Sequence, residues 1–228
     1  MAPVNPSSAA SQLGLVAVAI SAALVIVAVA IVPYLNPLWI AFEQGRAGAA
    51  DLTGFSETDL RTVTNSILED LVVGPPVFDV ELNGAPVLSE AERSHMRNVR
   101  DVFSGFYGVA ATGLAILAVA FWRAGRRKVG WTRGQAWRGV RLGATGLSAA
   151  VVVAGVIVMF AFDAAFEVFH RLFFADGSYL FDPGTDRLVQ LFPEAFWSDT
   201  AIAAGAMIFF LALGAAWVAG RRGRGQAQ

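Results

Sequence analysis

The sequence predicts an all-α membrane protein: four transmembrane helices, both termini cytoplasmic, a small extracytoplasmic cap and an aromatic-rich second outer loop at the membrane interface. Three observations carry this. Of 228 residues, 56% are hydrophobic and 15% charged, with a mean hydropathy of +0.56, beyond the range of soluble domains. Four runs, Leu13 to Val32, Val102 to Trp122, Leu142 to Phe162 and Thr200 to Gly220, contain no Asp, Glu, Lys, Arg or His; each is close to the roughly 20 residues that cross a bilayer as helix. The segment 123–141 holds Arg123, Arg126, Arg127, Lys128, Arg133, Arg138 and Arg141 without an acid, and Arg221, Arg222 and Arg224 follow the last run. The positive-inside rule places both in the cytoplasm. All 18 acidic residues lie in or beside the other two loops. The net charge of −1 conceals that polarity, and the topology accounts for the basic residues without a nucleic-acid partner.

In order, the expected segments are a cytoplasmic tail (1–12), the first span (13–33), outer loop 1 (34–101), the second span (102–122), the basic inner loop (123–141), the third span (142–162), outer loop 2 (163–199), the fourth span (200–220) and a tail (221–228). The first span lacks the basic flank of a signal peptide and is longer than a usual signal core, so it reads as a retained helix. The chain has no cysteine, which excludes disulfides, Cys-bound metals and thiol nucleophiles.

Outer loop 1 is long enough to fold as a cap. Ser56 and Asp59 form a capping box ahead of Leu60, Val63, Ile67, Leu68 and Leu71 at helical spacing. Gly74, Pro75 and Pro76 stop that helix. A β-hairpin follows, with Val77 to Val80 on one side, Asn83-Gly84 as the turn and Pro86 to Leu88 on the other. Ser89 and Glu92 make a second capping box, and no breaker separates Glu90 from Trp122, so this helix runs into the second span. His95 then stands about 10 Å above Val102, at headgroup height. His170 stands about 12 Å above Phe162 if the third helix continues outward.

Within outer loop 2, the stretch Phe166 to Trp197 mixes charges with Phe166, Phe169, Phe173, Phe174, Tyr179, Phe181, Phe192, Phe196 and Trp197. Its charges would each cost about 2.5 to 3.5 kcal/mol at the membrane centre, and its aromatics would expose a large apolar surface in water. The interface satisfies both demands.

The chain's two histidines, His95 and His170, fall on the same side at similar depth. Neutral imidazole can accept and donate a proton near pH 7, so the pair points to chemistry. Glu92 and Glu167 each precede a histidine by three residues, giving two Glu-x-x-His pairs of the kind that ligate metals in di-metal bundles. The first and fourth spans lack the glutamates that such a site also requires, so no metal is expected. No G-x-S-x-G elbow is present, and no ionisable residue interrupts a span as ion transport requires. A membrane adaptor with a partner-binding cap, and a metal-dependent membrane enzyme, are the competing readings.

Ser89 to Phe103 (SEAERSHMRNVRDVF) and Phe169 to Trp197, with F-H-x-x-F-F, F-D-P-x-x-D-x-L and L-F-P-E-x-F-W in that order, resemble the two signature segments of the bacterial lipoprotein intramolecular transacylase family. The resemblance runs from Leu13 to about Gly220. It departs at Asn98, where the family motif H-M-x-D-V carries a carboxylate, and at Tyr179, where Trp is usual. It implies transfer of the sn-2 acyl chain of an S-diacylglyceryl N-terminal cysteine to the α-amino group of the same cysteine. That chemistry would proceed in the bacterial cytoplasmic membrane, without a cofactor, on diacylglyceryl-modified lipoproteins, with His95 and His170 exchanging the protons. Asn98, Asp101, Arg171, Asp182, Asp186, Glu194, Tyr179 and Trp197 are the candidate substrate-binding or orienting residues. Plainer roles stand beside these: a turn at Asp182-Pro183-Gly184 with Asp186 nearby, interfacial snorkelling for Arg171 and Arg187, and a place for Glu194 in the first turn of a short helix.

Overall fold

A computed structural model describes residues 6–126, 131–175 and 177–224. Arg127 and Lys128, the first five residues of the expected first tail and the last four of the expected final tail lie outside them. The elements are α1 (Pro6–Ile31), a 3-10 turn (Val32–Leu35), α2 (Pro37–Arg46), α3 (Ala49–Thr53), α4 (Glu57–Val72), β1 (Glu81–Leu82), β2 (Ala85–Pro86), α5 (Glu90–Gly125), α6 (Arg133–Phe173), α7 (Arg187–Leu191) and α8 (Glu194–Arg224). Among the described residues four helices are long and apolar enough to cross a membrane: Ser11–Leu35, Glu90–Gly125, Arg133–Phe173 and Glu194–Arg224. Helix begins at Pro6, inside the stretch expected as a polar tail; Pro at a first helical position loses no hydrogen bond.

The chain forms two compact units, one from Met1–Ala30, Phe106–Gly155 and Gly205–Gln228, the other from Ile31–Gly105 and Val156–Ala204. The first is packed through small residues, with Ala22, Ala110, Ala136, Ala144, Ala212 and Ala219 buried. Gly139 and Gly143 of α6 let α1 approach closely. A Cβ on Gly143 would collide with the Ala19 carbonyl, and one on Gly139 would lie 2.7 Å from a Val18 methyl carbon. Small residues four apart are a common solution for helix contacts in lipid, where no hydrophobic force draws helices together.

The second unit is the cap and the helix ends that carry it. Its core joins Leu60, Val63 and Ile67 of α4 to Phe78, Val80, Val87, Leu88, Met96, Leu188 and Leu191. The Ser56–Asp59 capping box forms as expected, Ser56 Oγ accepting from the Asp59 amide at 3.1 Å. So does the second box, in which the Ser89 amide donates to Glu92 at 2.7 Å.

The hairpin is present but shorter and later than its sequence suggests: Glu81 pairs with Pro86 and Leu82 with Ala85. Asn83 (φ 54°) and Gly84 (φ 78°) supply the two left-handed residues of a tight turn. Pro86 has no N–H to give, and Val77 to Val80 contribute one further bond, from the Val87 amide to the Val80 carbonyl. The amphipathic helix α2 and the short α3 lie in a stretch read only as loop. Asn36 caps α2 by accepting from the Leu38 amide.

α6 continues past Phe162 to Phe173, but not without interruption, because the backbone leaves helical geometry at Ala161. Glu194 opens the 31-residue α8 and not a separate short helix; Pro193 immediately before it gives the fourth span its start.

Candidate active site

His95 lies on α5 six residues after its first residue's cap, one helical turn beyond Glu92. Glu92 is 2% exposed, and both of its oxygens are engaged. One closes the capping box with Ser89, and the other accepts the Leu188 amide at 2.6 Å. That second bond ties the opening turn of α7 to the helix bearing His95. The far end of α7 is held by Gln44, whose amide donates to the Leu191 carbonyl at 3.0 Å and to Thr64 at 3.0 Å. Gln190 donates to the Pro183 carbonyl at 2.9 Å. The loop before α7 is thereby fixed, and it brings Phe181 to 5.5 Å from His95, ring centre to ring centre.

The two imidazoles meet. Their ring centres are 6.1 Å apart and their planes differ by 18°. Both are buried, His95 at 6% and His170 at 9% exposure. Phe174 serves both, at 4.8 Å from His95 and 5.4 Å from His170. Phe166 at 4.1 Å, Tyr179 at 5.0 Å and Phe169 at 5.5 Å complete the surroundings of His170.

The two rings are held in different ways. His170 Nδ1 lies 2.8 Å from the Phe166 carbonyl. A carbonyl only accepts, so Nδ1 carries the hydrogen, and in neutral His170 the basic nitrogen is Nε2. His95 Nδ1 is buried with no hydrogen-bond partner among the described residues. Burial, with a smaller contribution from His170 nearby, pushes His95 down to about 4. It is a neutral imidazole at physiological pH.

An open groove of about 440 Å³ shares Phe174 with the pair and is lined by Asn98, Asp101 and Val102 of α5 and by Phe173, Phe174 and Ala175. Asn98 and Asp101 thus flank the site, although no hydrogen bond links Asn98 to either histidine among the described residues. Arg171 is exposed and paired with Glu167 at 2.5 Å, beside Tyr179. Trp197 packs at tilted and edge-on angles against Phe166, Phe192 and Phe196. Asp182 and Asp186 are spent on their own turn: Asp182 Oδ1 accepts from Gly184 and Asp186 Oδ2 from the Asp182 amide. Arg187 donates to the Thr53 carbonyl and to Gln190, a structural brace. Glu194 is exposed at the start of α8. Among the described residues no three His, Cys, Asp or Glu side chains converge as a metal site would need.

Sequence reasoning missed Gln44, Gln190 and the second contact of Glu92. Buried amides and carboxylates that make bonds across the chain leave no periodic signal.

The model of a protein family described as lipoprotein intramolecular transacylase, Lit, matches residues 15–197. The chain belongs to the Lit family. It is an acyltransferase of lipoprotein maturation, and a purely adaptor role is set aside. Structures of the membrane-integral lipoprotein intramolecular transacylase Lit from Bacillus cereus share the fold. One aligns with a TM-score of 0.77 at 16% identity, covering 96% of this chain and 99% of that one. Two more, in which one histidine is replaced by arginine or by alanine, align at 0.71 and 0.72 with 18% and 17% identity, each over 96% of this chain and over 95% and 96% of the other. No curated protein matches the chain.

Proposed function

We propose that this Lit-family enzyme moves the sn-2 acyl chain of an S-diacylglyceryl N-terminal cysteine onto that cysteine's own α-amino group, using His95 and His170. The observation that supports this most is the stacked, buried pair itself. The amine nitrogen attacks the ester carbonyl carbon, the C–O bond to the glyceryl oxygen breaks, and the proton leaving nitrogen ends on that oxygen. The products are an N-acyl amide and a free glyceryl hydroxyl. Donor and acceptor are tethered in one substrate, so proximity supplies much of the rate and no acyl-enzyme is needed. His170, with Nδ1 held and Nε2 basic, is the proton carrier. His95, kept neutral by burial and lying beside His170, is the second imidazole available to the tetrahedral oxyanion or the amine. Phe166 and Phe169 form the wall that faces the acyl chains.

The basic segments support a topology with both termini cytoplasmic, spans at 13–33, 102–122, 142–162 and 200–220, and the site on the outer face of the cytoplasmic membrane. That face carries the lipid-modified ends of lipoproteins.

The test is expression in a bacterium whose lipoproteins otherwise keep a free α-amino group, with tandem mass spectrometry of an N-terminal lipopeptide. N-acyl, S-monoacylglyceryl cysteine is the expected product. Unaltered diacylglyceryl cysteine would contradict the reaction.

A further inference from the structure

A substrate seated at the histidine pair is a lipid at one end and a polypeptide at the other, and the polypeptide has to leave the site. The groove lined by Asn98, Asp101, Val102, Phe173, Phe174 and Ala175 neighbours the pair across Phe174, whose ring packs on both imidazoles. Its chemistry suits a peptide better than an acyl chain. An amide side chain can both donate to and accept from a peptide unit, whereas a carboxylate on the wall would be desolvated by hydrocarbon.

Asp101 is set apart from the other charged groups around it. Arg93 is paired with Asp79 and Glu90, Arg97 with Glu90, Arg100 with the Asp70 carbonyl, and Glu92 with two amides. Asp101 has no hydrogen bond or ion pair among the described residues, and it faces the groove. Its charge is therefore not neutralised by its own helix.

We infer that this groove receives the residues following the modified cysteine, and that Asp101 makes the enzyme favour lipoproteins with a basic side chain there over those with an acidic one. This rests on the reaction assigned above. The preference follows from attraction or repulsion by one solvated carboxylate, which is worth about threefold to fivefold in affinity.

The experiment uses the full-length enzyme in neutral detergent micelles and two synthetic diacylglyceryl lipopeptides that carry Lys or Glu immediately after the cysteine. Initial rates at low substrate are compared for wild type, Asp101→Asn and Asp101→Lys. Wild type is expected to favour the Lys peptide about threefold to fivefold, Asp101→Asn to erase most of the difference and Asp101→Lys to reverse it, with the wild-type ratio shrinking in high salt. The same ratio in all three enzymes would overturn the inference while leaving the reaction standing. Conversion of neither peptide by wild type would overturn the reaction and this inference with it.

Discussion

The Glu92 carboxylate accepts the Leu188 amide at 2.6 Å across 96 residues of sequence while its other oxygen caps its own helix. A buried anion without a cation is held here by N–H groups at two helix starts, where the backbone has donors to spare. Glu92→Ala would strand those donors. Each buried unsatisfied group costs about 1–3 kcal/mol, so a fall in thermal stability of the detergent-solubilised protein is expected, together with a loss of activity as Phe181 is freed from His95. Glu92→Gln keeps one acceptor and should lie between. Unchanged melting in Glu92→Ala would show that the bond does not hold α7.

The same bond bears on metals. Glu92 has no free oxygen for a metal ion, and Glu167 is paired with Arg171. Activity is expected to survive exhaustive chelation; loss that added metal restores would require a different arrangement of both glutamates.

His95 titrates near 4 in the folded protein against about 6.5 in an unfolded chain. Below pH 6.5 the unfolded chain takes up a proton that the folded one refuses, so this contribution to stability is complete above about 6.5 and lost as pH falls towards 4. Melting temperature measured across that range should fall with pH, and His95→Gln should flatten the part due to this ring. A slope unaffected by His95→Gln would place the pH dependence elsewhere.

Gly143 and Gly146 make a matched pair. A side chain at Gly143 meets the Ala19 backbone, whereas nothing lies within 4 Å of one at Gly146. Gly143→Leu should destabilise the first unit by at least the roughly 1–3 kcal/mol of an overpacked contact, and Gly146→Leu should be nearly silent. Equal effects on thermal unfolding would refute the close approach of α1 and α6.

Much of this was legible in the chain. Uncharged runs gave the four long helices, and the serine capping boxes located the starts of α4 and α5. The helical rise along α5 and α6 put His95 and His170 at one depth, although it could not show that their rings stack. What stayed hidden depends on distant partners. The α2 helix is short and marked only by Asn36 and Pro37, Glu92 looks like a local cap until Leu188 is seen, and the bonds of Asp182 and Asp186 within their own turn are not visible in the sequence. The Asn83-Gly84 turn of the hairpin was legible, but the pairing of Glu81 with Pro86 depends on how Val80 and Val87 enter the core.

The stacking of His95 on His170 is the claim on which the mechanism stands. Its most direct test is mass spectrometry of a diacylglyceryl lipopeptide incubated with purified wild type, His95→Ala and His170→Ala, each shown to be folded in the membrane. Removal of a general acid–base group lowers rates by about 10²–10⁴-fold, so the account predicts N-acyl, S-monoacylglyceryl product from wild type and almost none from either variant. Product formed at the wild-type rate by either one would remove that histidine from the chemistry and contradict the account.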